Sequence, residues 1–214
     1  MATLTLSFLR GKGILLAITT ICVVIEVTLT LADYDLFDVA RLRQTAYGYG
    51  SFWPGLLGNW TPNFTGQSIT MFVTYGFLHA SLTHLAVNMI TLWSLGSAVI
   101  VRVGVGGFVL LYAGSILGGS LGYALLASGV QPMVGASGAL FGLAGGLLAW
   151  GYLDRYTFHE GLWPITRAVG LLIALNVVLW WAMDGQLAWQ THLGGFLTGW
   201  FMAFIIDPRP RQQD

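Results

Sequence analysis

The chain has 214 residues, of which 56% are hydrophobic and 8% charged, and its mean hydropathy is +0.73. A soluble domain carries about 25% charged residues, so this composition points to an integral membrane protein. The 9 Lys+Arg balance the 9 Asp+Glu, which leaves no basic field for nucleic acid, and the single Cys22 excludes an internal disulfide.

Arg10 and Lys12 precede an apolar run over residues 14–31. The run is long for a signal peptide and no small-x-small cleavage site precedes Asp33, so it reads as an uncleaved first span. Its only charge is Glu26, which is either functional or an interfacial, snorkelling residue. Residues 32–67 read as a long first loop containing Asp33, Asp35, Asp38, Arg41 and Arg43, then Tyr47, Tyr49, Phe52, Trp53 and Trp60. Such aromatics suit a loop resting at headgroup level.

Residues 69–100 are too long for one simple span. The reading is an approach segment before Ser81, then a second span over 82–101. A third span follows at 107–127, with Gly114, Gly118 and Gly122 on one face. The fourth is 135–152, and a polar connection with Pro164 leads to the fifth, 168–183. A turn at Asp184-Gly185 leads to the sixth, 189–206. The fold class is therefore all-α: a polytopic six-transmembrane-helix bundle forming a single membrane domain over 1–214.

Charge sets the orientation. With the N-terminus inside, the inner side holds Arg10, Lys12, Arg102, Arg155, Arg167, Arg209 and Arg211, and the outer side only Arg41 and Arg43. Both termini are then cytoplasmic, and the expected location is a bacterial inner membrane.

Polar groups inside membrane helices are costly unless paired. His84, Asn88, Ser137 and His192 stand out, all near the outer ends of their spans. Ser137 sits at a helix start, where backbone N–H groups lack intrahelical partners and the dipole favours negative charge. His84 and Asn88 are four apart and share a face. Gly138 and Gly142 follow the serine, and Gly195 and Gly199 follow His192. These small-xxx-small faces allow close helix approach. If they meet, Ser137 and His192 converge, and a neutral imidazole can take the serine proton. Asp184 lies in the turn before the sixth span, so the reading is a dyad rather than a triad. Metal binding is the main rival for His79, His84 and His192, but no carboxylate or thiol accompanies them at that depth. No metal or cofactor is expected. His159, beside Glu160, reads as a solvated residue of an inner loop.

These residues resemble the rhomboid family of intramembrane serine proteases. His79-x4-His84-x3-Asn88 is similar to its second-span motif, Gly135-Ala136-Ser137-Gly138 to its Gly-x-Ser-Gly, and His192-x2-Gly195-x3-Gly199 to its final motif. Gly104, Phe108, Tyr112 and Gly118 fit its third-span pattern, and the likeness covers residues 77–204. The resemblance implies Ser137 as nucleophile and His192 as general base. It implies His84 and Asn88 on the oxyanion side, His79 in a structural role supporting the loop or retaining water, and a water-filled cavity open to the outside. Two positions depart from the family: Thr70-Met71 stand where it often has Trp-Arg, and Ile100 where many members have Glu. Both concern loop anchoring.

The function expected is that of a serine endopeptidase cutting in or near the transmembrane helices of single- or multi-span membrane proteins within the lipid bilayer. The alternatives are a rhomboid-like protein that binds membrane clients without cutting them, and a small transporter using the histidines. The first would tolerate loss of Ser137 or His192, and this chain has both; the second would show internal repeats and broken helices at mid-depth.

Overall fold

The computed structural model describes residues 2–36, 39 and 41–211, with side chains from Lys12 onward. The Arg10 side chain and Asp38 lie outside the described residues. The described chain is all-helical: α1 Ala2–Asp33, α2 Leu42–Gly50, α3 Gln67–Thr74, α4 Leu82–Leu126, α5 Ser137–Thr157, α6 Trp163–Ala182 and α7 Trp189–Ile206, with short 3-10 turns at Pro54–Leu57 and Tyr75–Phe77. By length and composition, Lys12–Asp33 of α1, all of α4, and α6 are apolar enough to cross a membrane.

The centre belongs to α5. Gly138, Ala139, Leu140, Gly142, Leu143, Gly145, Gly146, Ala149 and Trp150 are all buried, so the helix is enclosed on most of its circumference. α7 packs against it and against the second half of α4. A Cβ on Gly118 would overlap the Thr198 side chain, and one on Gly194 the Gly118 carbonyl, which is how closely these backbones run. α1 lays Leu15, Ile18, Cys22, Glu26 and Leu29 along one helical stripe. Gly96 makes room for it: a Cβ there would lie 2.7 Å from Leu15 Cδ2. The opposite stripe, with Leu16, Val24 and Val27, is exposed and suited to lipid.

Residues 82–101 and 107–127, read from the sequence as two spans, lie in the arms of one helix, α4, broken at Gly104 (φ 74°, ψ 179°), a conformation only glycine adopts without strain. The arms fold back on each other. Arg102, at the break, pairs with Asp154 at the far end of α5, while Tyr123, in the returning arm, donates to the Gln131 carbonyl just before Ser137.

Other boundaries move for local reasons. α5 runs to Thr157 rather than 152, ending before His159 at φ 58°, so Asp154 belongs to the helix and is 3% exposed instead of lying in a polar connection. α6 starts at Trp163 rather than 168, because Pro164 sits in its first turn, where a missing N–H costs nothing.

Residues 32–67 are more structured than a loop resting at an interface. Arg43, in the first turn of α2, uses all five of its guanidinium N–H donors. Nε reaches Asp33 at 2.5 Å, and Nη1 and Nη2 grip Glu26 at 3.0 Å each. The remaining two donors go to the His79 carbonyl (3.2 Å) and Thr30 Oγ1 (3.3 Å). Glu26 is fully buried as the counter-ion of this clamp. Tyr47 adds a second hydrogen bond to the His79 carbonyl at 2.7 Å. Met71, at one departure from the family pattern, fills the core instead of anchoring the loop.

Candidate active site

Ser137 opens α5, and among the described residues no side chain caps that terminus, which leaves its first N–H groups available. The residue is half-buried. Its Oγ lies 2.8 Å from Nε2 of His192, which α7 brings in from its first turn. The approach depends on glycine. A Cβ on Gly195 would overlap the carbonyl oxygen of Gly138, and one on Gly199 that of Gly142. Gly142 itself faces the Ser115 side chain.

The His192 ring is 6% exposed and held on two sides. The Phe141 ring, one turn after Ser137, stacks on it at 4.2 Å between centroids and 8° between planes. Its Nδ1 lies 2.5 Å from Oδ1 of Asn176 on α6.

On the other flank stand His84 and Asn88. Ser81 Oγ caps α4 by accepting the His84 N–H at 3.1 Å. The Ala80 N–H donates to His84 Nδ1 at 3.3 Å, so that nitrogen is the acceptor and Nε2 carries the proton. His84 Nε2 points at Gly135, where a Cβ would sit 2.9 Å from it, and Asn88 Nδ2 lies 3.7 Å from the same point. Asn88 is 4% exposed and its Nδ2 is a buried donor without an acceptor among the described residues. Gly135 has φ 124° and donates its N–H to the Tyr75 carbonyl at 2.9 Å, which bends the chain into α5. Two N–H donors thus open onto the ground beside Ser137, where negative charge would be stabilised.

His79 is close by but apart from this group. It is fully buried behind His84, with ring centroids 5.2 Å apart, and neither of its nitrogens finds a partner among the described residues. Burial, reinforced by the neighbouring His84, pushes its pKa down to about 4. Among the described residues no group of three His, Cys, Asp or Glu side chains could hold a metal ion.

Among the described residues the hydrogen-bond partner of His192 Nδ1 is Asn176 rather than Asp184, the residue considered for orienting it. Asn176 was legible as a lone amide in an otherwise apolar run, the same signal that marked Asn88. Phe141 carried no such signal, since an aromatic one turn after Ser137 looks like core. An apolar cleft of 540 Å³ lies between α6 and α7, with Phe141, Asn176, Trp180, Trp189, His192 and Phe196 in its walls.

The loop before Ser137 is held from outside the bundle. Phe52 and Met133 exchange two backbone hydrogen bonds of 3.0 Å, the one isolated β-bridge among the described residues. Phe52 is fully buried, with ring edges against Phe72, Tyr75 and Tyr123.

Comparison with known proteins agrees with this architecture. The Rhomboid domain family matches residues 66–209. RHOMBOID-like protein 5 of Arabidopsis thaliana is 36% identical over 63% of this chain and 43% of its own length. Rhomboid protease GluP of Bacillus subtilis (strain 168) is 35% identical over 60% of this chain and 24% of its own, and Rhomboid protein 1, mitochondrial, of Saccharomyces cerevisiae is 31% identical over 64% and 43%. The chain spans less than half the length of each of these relatives. Because the family match runs from the approach to α4 through to the end of α7, the chain is an integral membrane protein of the rhomboid family, whose members are generally intramembrane serine proteases.

Proposed function

We propose that this chain is an intramembrane serine endopeptidase in which Ser137 is the nucleophile and His192 the general base. The observation that carries the reading is the 2.8 Å separation of Ser137 Oγ and His192 Nε2 at an uncapped helix N-terminus. As Oγ bonds to the scissile carbonyl carbon, its proton passes to Nε2. The carbonyl oxygen becomes an oxyanion beside His84 Nε2–H, Asn88 Nδ2 and the first N–H groups of α5. The C–N bond then breaks as Nε2 returns the proton to the leaving amine. Water attacks the acyl-enzyme by the same route and frees Ser137.

The substrates are membrane proteins. A helix in lipid satisfies its own backbone, so a scissile bond must be unwound before it can lie against Ser137. Segments with small or helix-breaking residues near the membrane surface fit that need. The protein is oriented with Ser137 at the extracytoplasmic end of α5. Arg102, Arg209 and Arg211, gathered around Asp154 and Asp207 at the opposite end, then lie on the cytoplasmic side. A phosphatase active only outside the cytoplasm, fused after Asp214, should be silent; strong activity would reverse this orientation.

The test is fluorophosphonate labelling of purified protein together with cleavage of a reporter transmembrane substrate in vesicles. Wild type should label and cut, and Ser137→Ala should do neither while remaining folded. Full cleavage by a folded Ser137→Ala protein would mean that the chain does not use this serine, as a client-binding rhomboid-like protein would not.

A further inference from the structure

We propose that Asn176 is a positioning residue for the Ser137–His192 pair: its Oδ1 accepts the Nδ1–H of His192 at 2.5 Å and holds Nε2 toward Ser137. This rests on the reading of Ser137 and His192 given above.

The orientation of the amide is set within α6. Asn176 Nδ2 donates to the Leu172 carbonyl one turn earlier, at 3.0 Å. The amide nitrogen is thereby turned back along its own helix, and Oδ1 is the atom left facing the ring. An acceptor at Nδ1 selects the tautomer with its proton there and the lone pair on Nε2, the form a general base requires. It also selects one of two ring orientations. Stacking on Phe141 fixes the plane of the imidazole, yet a half-turn about Cβ–Cγ keeps that plane while exchanging Nδ1 for a carbon. Only a polar partner at Nδ1 distinguishes the two. When Nε2 takes the serine proton, the same oxygen stabilises the imidazolium. An amide fills this place in the Cys-His-Asn arrangement of other proteases.

The bond also crosses between helices. Among the described residues it is the only side-chain hydrogen bond from α6 to another helix, and α6 buries only Ile165. Asn176 stands in the wall of the 540 Å³ cleft that separates α6 from α7. The alignment of His192 is therefore tied to the seating of an otherwise loosely held helix.

Full-length protein in vesicles decides the matter. Asn176→Leu keeps the side-chain volume and removes the acceptor, and Asn176→Asp restores it. Each variant is assayed for kcat and KM on the reporter substrate and for fluorophosphonate labelling of Ser137. Its His192 tautomer is read by nitrogen-15 NMR of histidine-labelled protein. Asn176→Leu should lose about 100-fold in kcat, as a ~1 Å misplacement does. KM should hold, the labelling rate should fall by the same factor, and the fixed Nδ1–H signal should disappear. Asn176→Asp should recover most of the rate and the signal. Asn176→Leu at wild-type kcat, with Ser137→Ala inactive, overturns this proposal and leaves the protease reading intact. Equal losses in both variants with the tautomer unchanged also overturn it. Ser137→Ala as active as wild type overturns the protease reading and this inference with it. If Asn176→Leu fails to insert, the wild-type spectrum still decides: a His192 protonated on Nε2 alone is incompatible with the proposal.

Discussion

Gly195 lies with its Cα against the main-chain carbonyl of Gly138, with no room for a side chain between the two helices. The contact sits three residues beyond His192 and one beyond Ser137, so it fixes the distance across which the proposed proton transfer occurs. Gly195→Val would push α7 outward and carry His192 with it. Because a displacement of ~1 Å can cost roughly a hundredfold in rate, the variant should insert, remain folded and cut the reporter substrate about 100-fold more slowly, with Ser137 labelling poorly. Wild-type turnover in Gly195→Val would show that this contact does not set the geometry of the site.

Gly135 is constrained twice. Its φ of 124° disfavours any other residue by about 1–3 kcal/mol, and a Cβ there would stand 2.7 Å from His84 Cε1 and 2.9 Å from Nε2. Gly135→Ala should therefore block the space onto which His84 and Asn88 open. We expect turnover reduced more than tenfold and a modest fall in the thermal midpoint measured in detergent. A variant that is destabilised yet turns over normally would separate the glycine's backbone role from any role in the oxyanion environment.

Most of the helices were legible because apolar length and glycine spacing dominate a chain with so few charges. The last apolar segment, 189–206, is helical throughout as α7, Trp189–Ile206. Two boundaries moved through single residues, Pro164 opening α6 early and His159 ending α5 late, and Gly104 bends one hydrogen-bonded helix into two arms. His84, Asn88, Ser137 and His192 announced themselves as polar groups at matching depth. Asn176 obeyed the same rule but lies deep in its run, where depth matching gave it no company. The Arg43–Glu26 clamp was beyond reach for a different reason. It joins residues 17 apart across a helix end and a short helix, and no periodicity or local spacing encodes such a meeting.

His79 gives a pH dependence. Its pKa, lowered by burial and then by His84, lies near 4 in the folded protein, against about 6.5 for a free histidine. Between those values the unfolded chain binds a proton that the folded chain refuses. Stability from this group is thus complete above about pH 6.5 and declines as the pH falls toward 4. The thermal midpoint in detergent should drop across that window, and His79→Phe should flatten the drop while leaving the range above pH 7 little changed. An identical slope in wild type and His79→Phe would assign the acid sensitivity to other groups.

Arg43 and Glu26 lend themselves to a double-mutant cycle. Glu26 is fully buried and Arg43 has a side-chain exposure of 19%, so removing one partner leaves a charge without its counter-ion. Breaking a buried pair in this way costs on the order of 3–5 kcal/mol. Arg43→Met should be the more damaging single change, because it strands the Glu26 carboxylate and also releases the His79 carbonyl, Thr30 and Asp33. Glu26→Leu leaves Arg43 with Asp33, which is partly exposed and can still pair with it. Combining the two replaces the ion pair by apolar groups of similar size, and such replacements are often near neutral. The double variant should therefore be more stable than Arg43→Met alone. Its remaining deficit should be one of loop placement: the His79 carbonyl then keeps the Tyr47 hydroxyl, at 2.7 Å, but not Arg43. Substrate cleavage should fall more than the thermal midpoint in the double variant, since the segment leading to His84 is then less firmly held. Additive losses, with the double variant as unstable as the two single changes summed, would mean that the two residues do not stabilise the fold through each other.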